Sequence, residues 1–326
     1  MRNILKVFFL ARLWILFLCL LIGCAYPVTR TANPVSGTFR DDFNLRTGKH
    51  QRHFLLHSPQ GYSASRAYPL VVVLHGAFST AKEIAKWSEW SQLADREGLI
   101  VIYPEGIGIL GFLQHWNAGH CCGKAAEEGW NDVAFIEAAI NGTCRQYAVD
   151  KRRIYMMGFS NGGMMTYRFA VERSFLLAAA ASVSGVINSR ATQNQPERWI
   201  PTPERPVPFL VMHGDADKTI PYEGGKPLDR KSTREYQRVA DAADFWIAAN
   251  KATAGPIRKE SFDGMVMETS YMDSSGGNEV RVCRIRGWGH EWPGGPITRA
   301  LPGNNPLKDF DAAGIIWRFF QQYSRP

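Results

Sequence analysis

Along the chain, short continuous apolar runs alternate with longer stretches in which apolar residues recur every three or four positions. Tyr68–Leu74 (YPLVVVL) is almost entirely apolar and rich in β-branched residues, the pattern of a strand buried on both faces. Leu99–Tyr103 reads as the next buried strand, and Arg153–Met157, Ala178–Val183, Val207–Met212 and Val280–Ile285 as further strands. Between them the spacing predicts helices over Ser79–Glu97, with Gly98 as its stop, and over Asp132–Tyr147, with Asn131 or Asp132 as its cap. Further helices are expected at Asn161–Glu172, Arg234–Asn250 and Lys308–Tyr323. Gly106–Gly129 reads as a long loop, and residues 188–206, polar and Pro-rich, as an insertion. Strands alternating with helices predict one α/β domain, a mostly parallel central sheet with helices on both faces.

The first segment has a different character. Arg2, Lys6 and Arg12 precede an uncharged run, Leu13–Ile22, of ten residues. That is too short for a bilayer, which needs about 20, and it fits an export signal. Leu21-Ile22-Gly23-Cys24 follows at once and resembles the lipobox of bacterial lipoproteins. The expected organisation is a leader at 1–23, a lipid-anchored polar tether at 24–45 and a catalytic domain at 46–326. Cys24 is the expected lipidation site, and several acyl chains suffice for stable anchoring. An ordinary cleaved signal with a chance cysteine is the plainer reading. The lipobox is preferred because the cysteine directly follows the apolar run. Ala25 carries no acidic retention signal, which points to the outer membrane of the envelope.

Composition narrows the choice further. Hydrophobic residues make up 45% and charged residues 21%, as in a folded globular protein, which excludes wholesale disorder. The net charge of +8 falls to +5 once the three basic leader residues are gone, and with no basic run or stripe this gives no case for nucleic acid. Of six cysteines, Cys121, Cys122, Cys144 and Cys283 remain in an exported, oxidising setting. Cys121 and Cys122 are expected to be oxidised, to each other or to Cys144 and Cys283; three full pairings are open. His115, His120, Cys121 and Cys122 cluster as zinc sites do, but adjacent cysteines serve poorly as paired ligands and no C-x-x-C accompanies them, so no metal is expected.

The chemistry is written at strand ends. Gly158-Phe159-Ser160-Asn161-Gly162 lies between a strand and a helix, the context of a nucleophile elbow. Its glycines let the chain turn sharply and raise the Ser160 hydroxyl above the sheet. A serine needs a base, and the base an orienting carboxylate, which follow the nucleophile in the order acid, then histidine. His290, in a Gly-rich loop after the last strand, is the late histidine. Asp215 and Asp217, in the loop after Val207–Met212, both qualify as the acid by type. His75-Gly76-Ala77 follows the first buried strand, where a second oxyanion donor is expected. The backbone amides of Ala77 and Asn161 are therefore the candidate oxyanion hole. His75 and His213 read as structural hydrogen-bonders. Trp116, Trp288 and Trp292 are candidate substrate-binding aromatics.

Taken together, Leu74-His75-Gly76, Trp116-Asn117-Ala118-Gly119 with Cys121-Cys122-Gly123, Asn131 to Ile136, Gly158 to Met165, His213-Gly214 with Asp217 and Pro221-Tyr222, and Gly289-His290 with Trp292-Pro293-Gly294 form six motifs in order. In these the chain resembles the secreted polyhydroxybutyrate depolymerase and feruloyl esterase-like family of α/β-hydrolases, near carbohydrate esterase family one. The resemblance runs from about His53 past His290. It implies the α/β-hydrolase fold and a triad of Ser160, Asp217 and His290, selecting Asp217 by the pattern H-G-x-x-D-x-x-V-P with Ile220 in the Val position. Trp288, where the family often has Gly, and Asn131, where it often has Asp, are departures that bear on substrate more than on reaction.

The expected function is an extracytoplasmic serine carboxylic-ester hydrolase acting through an acyl-enzyme, without cofactor. Its substrates would be small-molecule or oligomeric esters: polyhydroxyalkanoate-type oligomers, or feruloyl or acetyl esters of polysaccharide. A peptidase on the same fold is disfavoured because related peptidases carry a propeller repeat that is missing here. A catalytically dead surface binding protein is disfavoured because all three triad residues are present. Cys24→Ser should move the protein from the membrane fraction to a soluble exported or unprocessed form. Fractionation that finds the unsubstituted protein wholly soluble and free of acyl label would overturn the lipobox reading.

Overall fold

The structure is a computed structural model that describes residues 28–30, 39–47, 50–109, 112–190, 200–300 and 305–326. The leader and Cys24 lie outside the described residues. The strands are β1 (Val28–Arg30), β2 (Phe39–Thr47), β3 (His50–Ser58), β4 (Tyr68–Leu74), β5 (Ile100–Pro104), β6 (Ile107–Ile109), β7 (Phe112–His115), β8 (Val149–Phe159), β9 (Ala179–Val183), β10 (Ser189–Arg190), β11 (Phe209–Gly214), β12 (Glu235–Tyr236), β13 (Ala254–Ser261), β14 (Val266–Met272) and β15 (Val280–Ile285). The helices are α1 (Ala81–Trp87), α2 (Trp90–Glu97), α3 (Gly123–Glu127), α4 (Asp132–Gln146), α5 (Asn161–Glu172), α6 (Val239–Asn250), α7 (Pro296–Ala300) and α8 (Ala312–Phe320).

Among the described residues the main sheet runs β1-β2-β3-β5-β4-β8-β9-β11-β15-β14-β13. Its centre, from β5 to β15, is parallel, and antiparallel strands extend it on both flanks. This is the α/β-hydrolase architecture expected. The continuous apolar run of β4 is explained by burial on both faces. Leu70, Val72 and Leu74 enter the core formed with α4, α5 and α6, through Phe135, Ile136, Phe169 and Trp246. Val71 and Val73 enter the opposite core, formed with α1, α2 and α8 through Ile84, Trp90, Phe319 and Phe320. Side chains alternate faces along a strand, so a helix layer on each side demands apolar residues at every position.

The sequence reading needs four corrections. Residues assigned to the tether include β2, which pairs with β3 along its whole length, and β1, so the sheet begins upstream of residue 46. The helix expected over Ser79–Glu97 is two. Thr80 caps α1 with a capping box, the chain turns at Ser88, and Glu89 sits at φ 61° before α2, which ends at Gly98 with φ 68°. The loop expected over Gly106–Gly129 contains the β6–β7 ribbon and α3. The β13–β14 hairpin, which continues the sheet beyond β15, carries no buried run in the sequence: β13 is exposed nearly throughout.

One buried ion pair fastens the flank to the loops above the sheet. Arg52 of β3 donates from Nη1 to Asp132 Oδ1 (2.9 Å) and from Nη2 to the Glu105 carbonyl (2.8 Å), and its guanidinium lies 4.0 Å from the Phe135 ring centroid. The other oxygen of Asp132 accepts from the Asn117 amide (2.7 Å). Burial pushes the Asp132 carboxyl up, against the pull of Arg52 and Asn117. Removing one partner strands a charge in the interior. Asp132→Ala should therefore lower stability by about 3–5 kcal/mol, measured by urea unfolding; a loss under about 1 kcal/mol would contradict the assignment.

Candidate active site

The parallel strands deliver their carboxyl ends to one edge of the sheet. Winding reverses between β4 and β8, because β5 lies on one side of β4 and β8 on the other. The crevice at such a switch point is where open α/β sheets hold ligands. The loop after β4 and the turn after β8 face each other there.

Ser160 occupies that turn at φ 55° and ψ −120°, with its amide donating to the Val183 carbonyl (2.8 Å). It is the residue between β8 and α5, as the elbow motif predicts. A Cβ at Gly158 would collide with the Gly162 backbone, and one at Gly162 would come within 2.5 Å of the Leu74 and His75 carbonyl oxygens. The motif glycines therefore permit α5 to pack directly on β8 and β4. Gly76 abuts the serine as well: a Cβ there would lie 3.3 Å from Ser160 Cβ. The candidate oxyanion donors are thus adjacent. Asn161 is the first residue of α5, whose opening amides have no partner within the helix, and Ala77 is next to Gly76.

The structure brings the other two triad candidates to the serine. His290 Nε2 is 2.9 Å from Ser160 Oγ, and His290 Nδ1 is 2.7 Å from Asp217 Oδ2. A carboxylate only accepts, so Nδ1 carries the proton, and Nε2 accepts from the serine hydroxyl. The arrangement can take a proton from Oγ as the oxygen attacks and return it to a leaving group. Asp217 is buried, yet four N–H groups serve it. Oδ1 accepts from the Thr219 and Ile220 amides (both 2.8 Å), Oδ2 accepts from His290, and His213 Nε2, which donates to the Ile220 carbonyl (2.9 Å), also lies 3.2 Å from Oδ2. Burial alone would raise its pKa; the hydrogen bonds from His213 and His290 outweigh burial and hold the carboxyl well below the usual carboxylate range. Asp215 does separate work: it accepts from the Gly287 amide (2.7 Å) and pairs with Arg284 (2.8 Å), bracing the histidine loop. Asp215 thus reaches across to the neighbouring strand and the turn that follows it.

Of the three candidate aromatics, one lines the cleft. Trp292 joins Trp87, Phe159 and His290 around an apolar pocket of about 220 Å³. Trp116 is fully buried, and its indole donates to the His75 carbonyl (2.9 Å), so it supports the loop rather than touching substrate. Trp288 is not among the residues lining this pocket: its indole donates to the Glu291 carbonyl, and its own carbonyl accepts from the Ala216 amide. Trp87 gave no local sign of this place in the sequence: the end of α1 brings its ring against Phe159 and Trp292.

Sequence reasoning also missed the Asn161 side chain. Its Oδ1 accepts from the Trp116 amide (2.7 Å) and its Nδ2 donates to the Trp116 carbonyl (3.1 Å), tying α5 to the loop after β7. That carbonyl also accepts from Cys122 N (3.0 Å). Cys121 and Cys122 are bonded to each other, Arg234 donates to both sulfurs (2.8 and 3.3 Å), and Cys144 and Cys283 are free thiols. Among the described residues no group of three or more His, Cys, Asp or Glu side chains is placed to hold a metal ion.

Comparison with known proteins gives consistent likenesses. Residues 53–195 match the family described as Esterase PHB depolymerase. The chain is 30% identical over 268 residues to a putative esterase, NocK, of Nocardia uniformis subsp. tsuyamanensis, covering 77% of this chain and 74% of that protein. It is 28% identical over 241 residues to feruloyl esterase B of Piromyces equi, covering 73% of this chain but only 42% of that longer protein. Among solved structures, an acetyl xylan esterase from Aspergillus awamori superposes with a TM-score of 0.53 at 16% identity, over 81% of this chain and 94% of that one. A ferulic acid esterase from Anaeromyces mucronatus, solved with ferulic acid, gives 0.52 at 14% identity over 90% and 93%. At such identities the likeness is one of fold.

The two aspartates make separable predictions. Asp217→Asn should lower kcat on p-nitrophenyl acetate by roughly 10³–10⁴, because the amide no longer holds the imidazole tautomer. Asp215→Asn keeps an acceptor for the Gly287 amide and should cost less than about tenfold. A crippled Asp215→Asn beside an active Asp217→Asn would reverse the assignment.

Proposed function

The chain belongs to the Esterase PHB depolymerase family, and we propose that it is a serine carboxylic-ester hydrolase working through an acyl-enzyme. The observation that carries this reading is the unbroken line of hydrogen bonds from Asp217 through His290 to Ser160, at 2.7 and 2.9 Å. In the proposed cycle Ser160 Oγ attacks the ester carbonyl carbon while His290 Nε2 takes its proton. The carbonyl oxygen becomes an oxyanion facing the Ala77 and Asn161 amides. Collapse breaks the carbon–oxygen bond to the alcohol, which leaves with the proton from His290. Water then attacks the acyl-serine by the same route, freeing the acid and restoring the serine.

The pocket bounded by Trp87, Phe159 and Trp292 supports a substrate with a flat apolar group beside His290. Of the ester classes carried by the relatives' names, feruloyl esters present such a group most directly. A hydroxyalkanoate oligomer would fill the same space with its aliphatic side chains. We further propose that the enzyme is exported and lipid-anchored at Cys24, a reading supported by the basic, apolar and Leu-Ile-Gly-Cys pattern of the leader.

Turnover of methyl ferulate, p-nitrophenyl acetate, p-nitrophenyl butyrate and a hydroxybutyrate trimer tests the reading, with methyl ferulate expected to give the highest kcat/KM. Ser160→Ala and His290→Ala should each reduce kcat by about 10⁴–10⁶, and a serine-directed phosphonate should label Ser160 in the wild type. A Ser160→Ala protein that keeps a tenth of the wild-type kcat would sink the mechanism.

A further inference from the structure

Among the described residues, two bulky apolar side chains are both exposed and at positive φ: Phe78 (64% exposed, φ 64°) and Leu113 (49% exposed, φ 53°). A left-handed backbone is costly for a bulky residue, and such outliers cluster where a side chain is held ready for a ligand. Leaving a phenyl ring in water is unfavourable as well. Phe78 carries both costs, and it does so beside the nucleophile.

A Cβ on Gly76 would lie 3.3 Å from Ser160 Cβ. Phe78 is two residues further on, so its Cα is at most about 7.6 Å from that of Gly76. The Phe78 amide donates to the Gln114 carbonyl (2.9 Å), and Ser79 bridges to Gln114, which ties the loop after β4 to β7 and Leu113. One side of the phenyl ring is braced by the buried His115 ring, edge to face, with 4.6 Å between centroids. His115 is fixed in turn. A Cβ on Gly123 would come within 2.8 Å of its ring, and the next residue, Trp116, is tied through its amide to Asn161 Oδ1 (2.7 Å). The Phe78 ring is thus held in register with the serine turn while most of it stays open to solvent. Trp87 and the aromatic pocket stand at the other end of α1, whose seven residues span about 10 Å. The open ring and the pocket are therefore separate surfaces.

We propose that Phe78 is a specificity-determining residue whose open ring stacks against a sugar on the alcohol limb of the ester, outside the aromatic pocket. The inference rests on the serine-esterase reading above and deepens it by naming what the second limb of the substrate is. The exposure of the ring selects the ligand chemistry. A wholly apolar group gains most from enclosure, which the pocket beside His290 offers and the Phe78 ring does not. A sugar is two-sided: its C–H face can cover the phenyl ring while its hydroxyls stay in water. The face of an aromatic ring is the negative part of its quadrupole and attracts the weakly positive C–H groups. Such a contact lies away from the reacting carbonyl and is made alike in ground state and transition state, so its loss should raise KM and spare kcat.

The test is the ratio of kcat/KM for a feruloylated trisaccharide to that for methyl ferulate, which has the same acyl group and no sugar. In the wild type the sugar ester should be better by at least about fivefold, through KM. Phe78→Asn removes the ring and suits a positive φ. It should lower the ratio about fivefold to tenfold, the scale of an aromatic contact, with Tm equal to or above that of the wild type. Phe78→Tyr keeps the ring and should hold the ratio within about twofold of wild type. A wild-type sugar ester no better than the methyl ester, a ratio unmoved by Phe78→Asn, or equal losses on both esters would each overturn the proposal. Should Phe78→Asn fail to fold, Phe78→Leu, which keeps apolar bulk without a flat face, takes its place with the same expected fall. Phosphonate labelling of Ser160 separates the two levels of failure. A wild type that labels but shows no sugar preference sinks this inference alone, whereas one that does not label sinks the esterase reading.

Discussion

Ser160 is a non-glycine residue held at φ 55° and ψ −120°, and a backbone conformation of that kind costs on the order of 1–3 kcal/mol unless its surroundings enforce it. Here they do. The serine amide is tied to β9, and α5 starts one residue later with Gly162 and Gly163 at contacts that admit no side chain. The same turn that lifts the hydroxyl out of the sheet also presses the first amides of α5 against the loop after β4. Ser160 and the proposed oxyanion donors are therefore one geometric object, set by how closely helix and strand pack.

Around that turn, the remaining loops solve an electrostatic problem. Burying a carboxylate without donors is prohibitive, and Asp217 is buried because the Thr219 and Ile220 amides and two histidines converge on it. The acid loop and the histidine loop are joined by the parallel register of β11 with β15 and by the bonds of Ala216 to Trp288 and Asp215 to Gly287. Rigid neighbouring strands thus hold an imidazole between a fixed acid and a fixed serine. An apolar opening beside them has Trp87, Phe159 and Trp292 among its walls, which makes the aromatic faces natural determinants of what that pocket accepts.

Elements whose signal is local were legible. The sequence reading of β4, α5 and β15 agrees with the structure residue for residue, since each is bounded by its own pattern of apolar residues and turn glycines. Elements whose signal depends on neighbours were not. Strand β2 mixes charges with its apolar positions and is a strand through its pairing with β3. The apolar rhythm across residues 79–97 continues through a break that only Glu89's left-handed backbone reveals.

By itself the sequence determined the order of parts: a serine elbow, then an acid loop, then a late histidine, each at the end of a strand. It did so because turn geometry and strand burial are written in residues next to one another. The tertiary structure alone decided which way side chains face and who partners whom. Trp116 turns into the core while Trp292 lines the cleft, although both are tryptophans in Gly-rich loops. Asp215 braces a loop while Asp217 holds the imidazole, and Cys121 bonds to Cys122 rather than to Cys144 or Cys283. The physical reason is distance along the chain. His290 meets Asp217 across 73 residues and Ser160 across 130, and hydrogen bonds of that span are selected by the packing of the whole sheet, not by any pattern nearby.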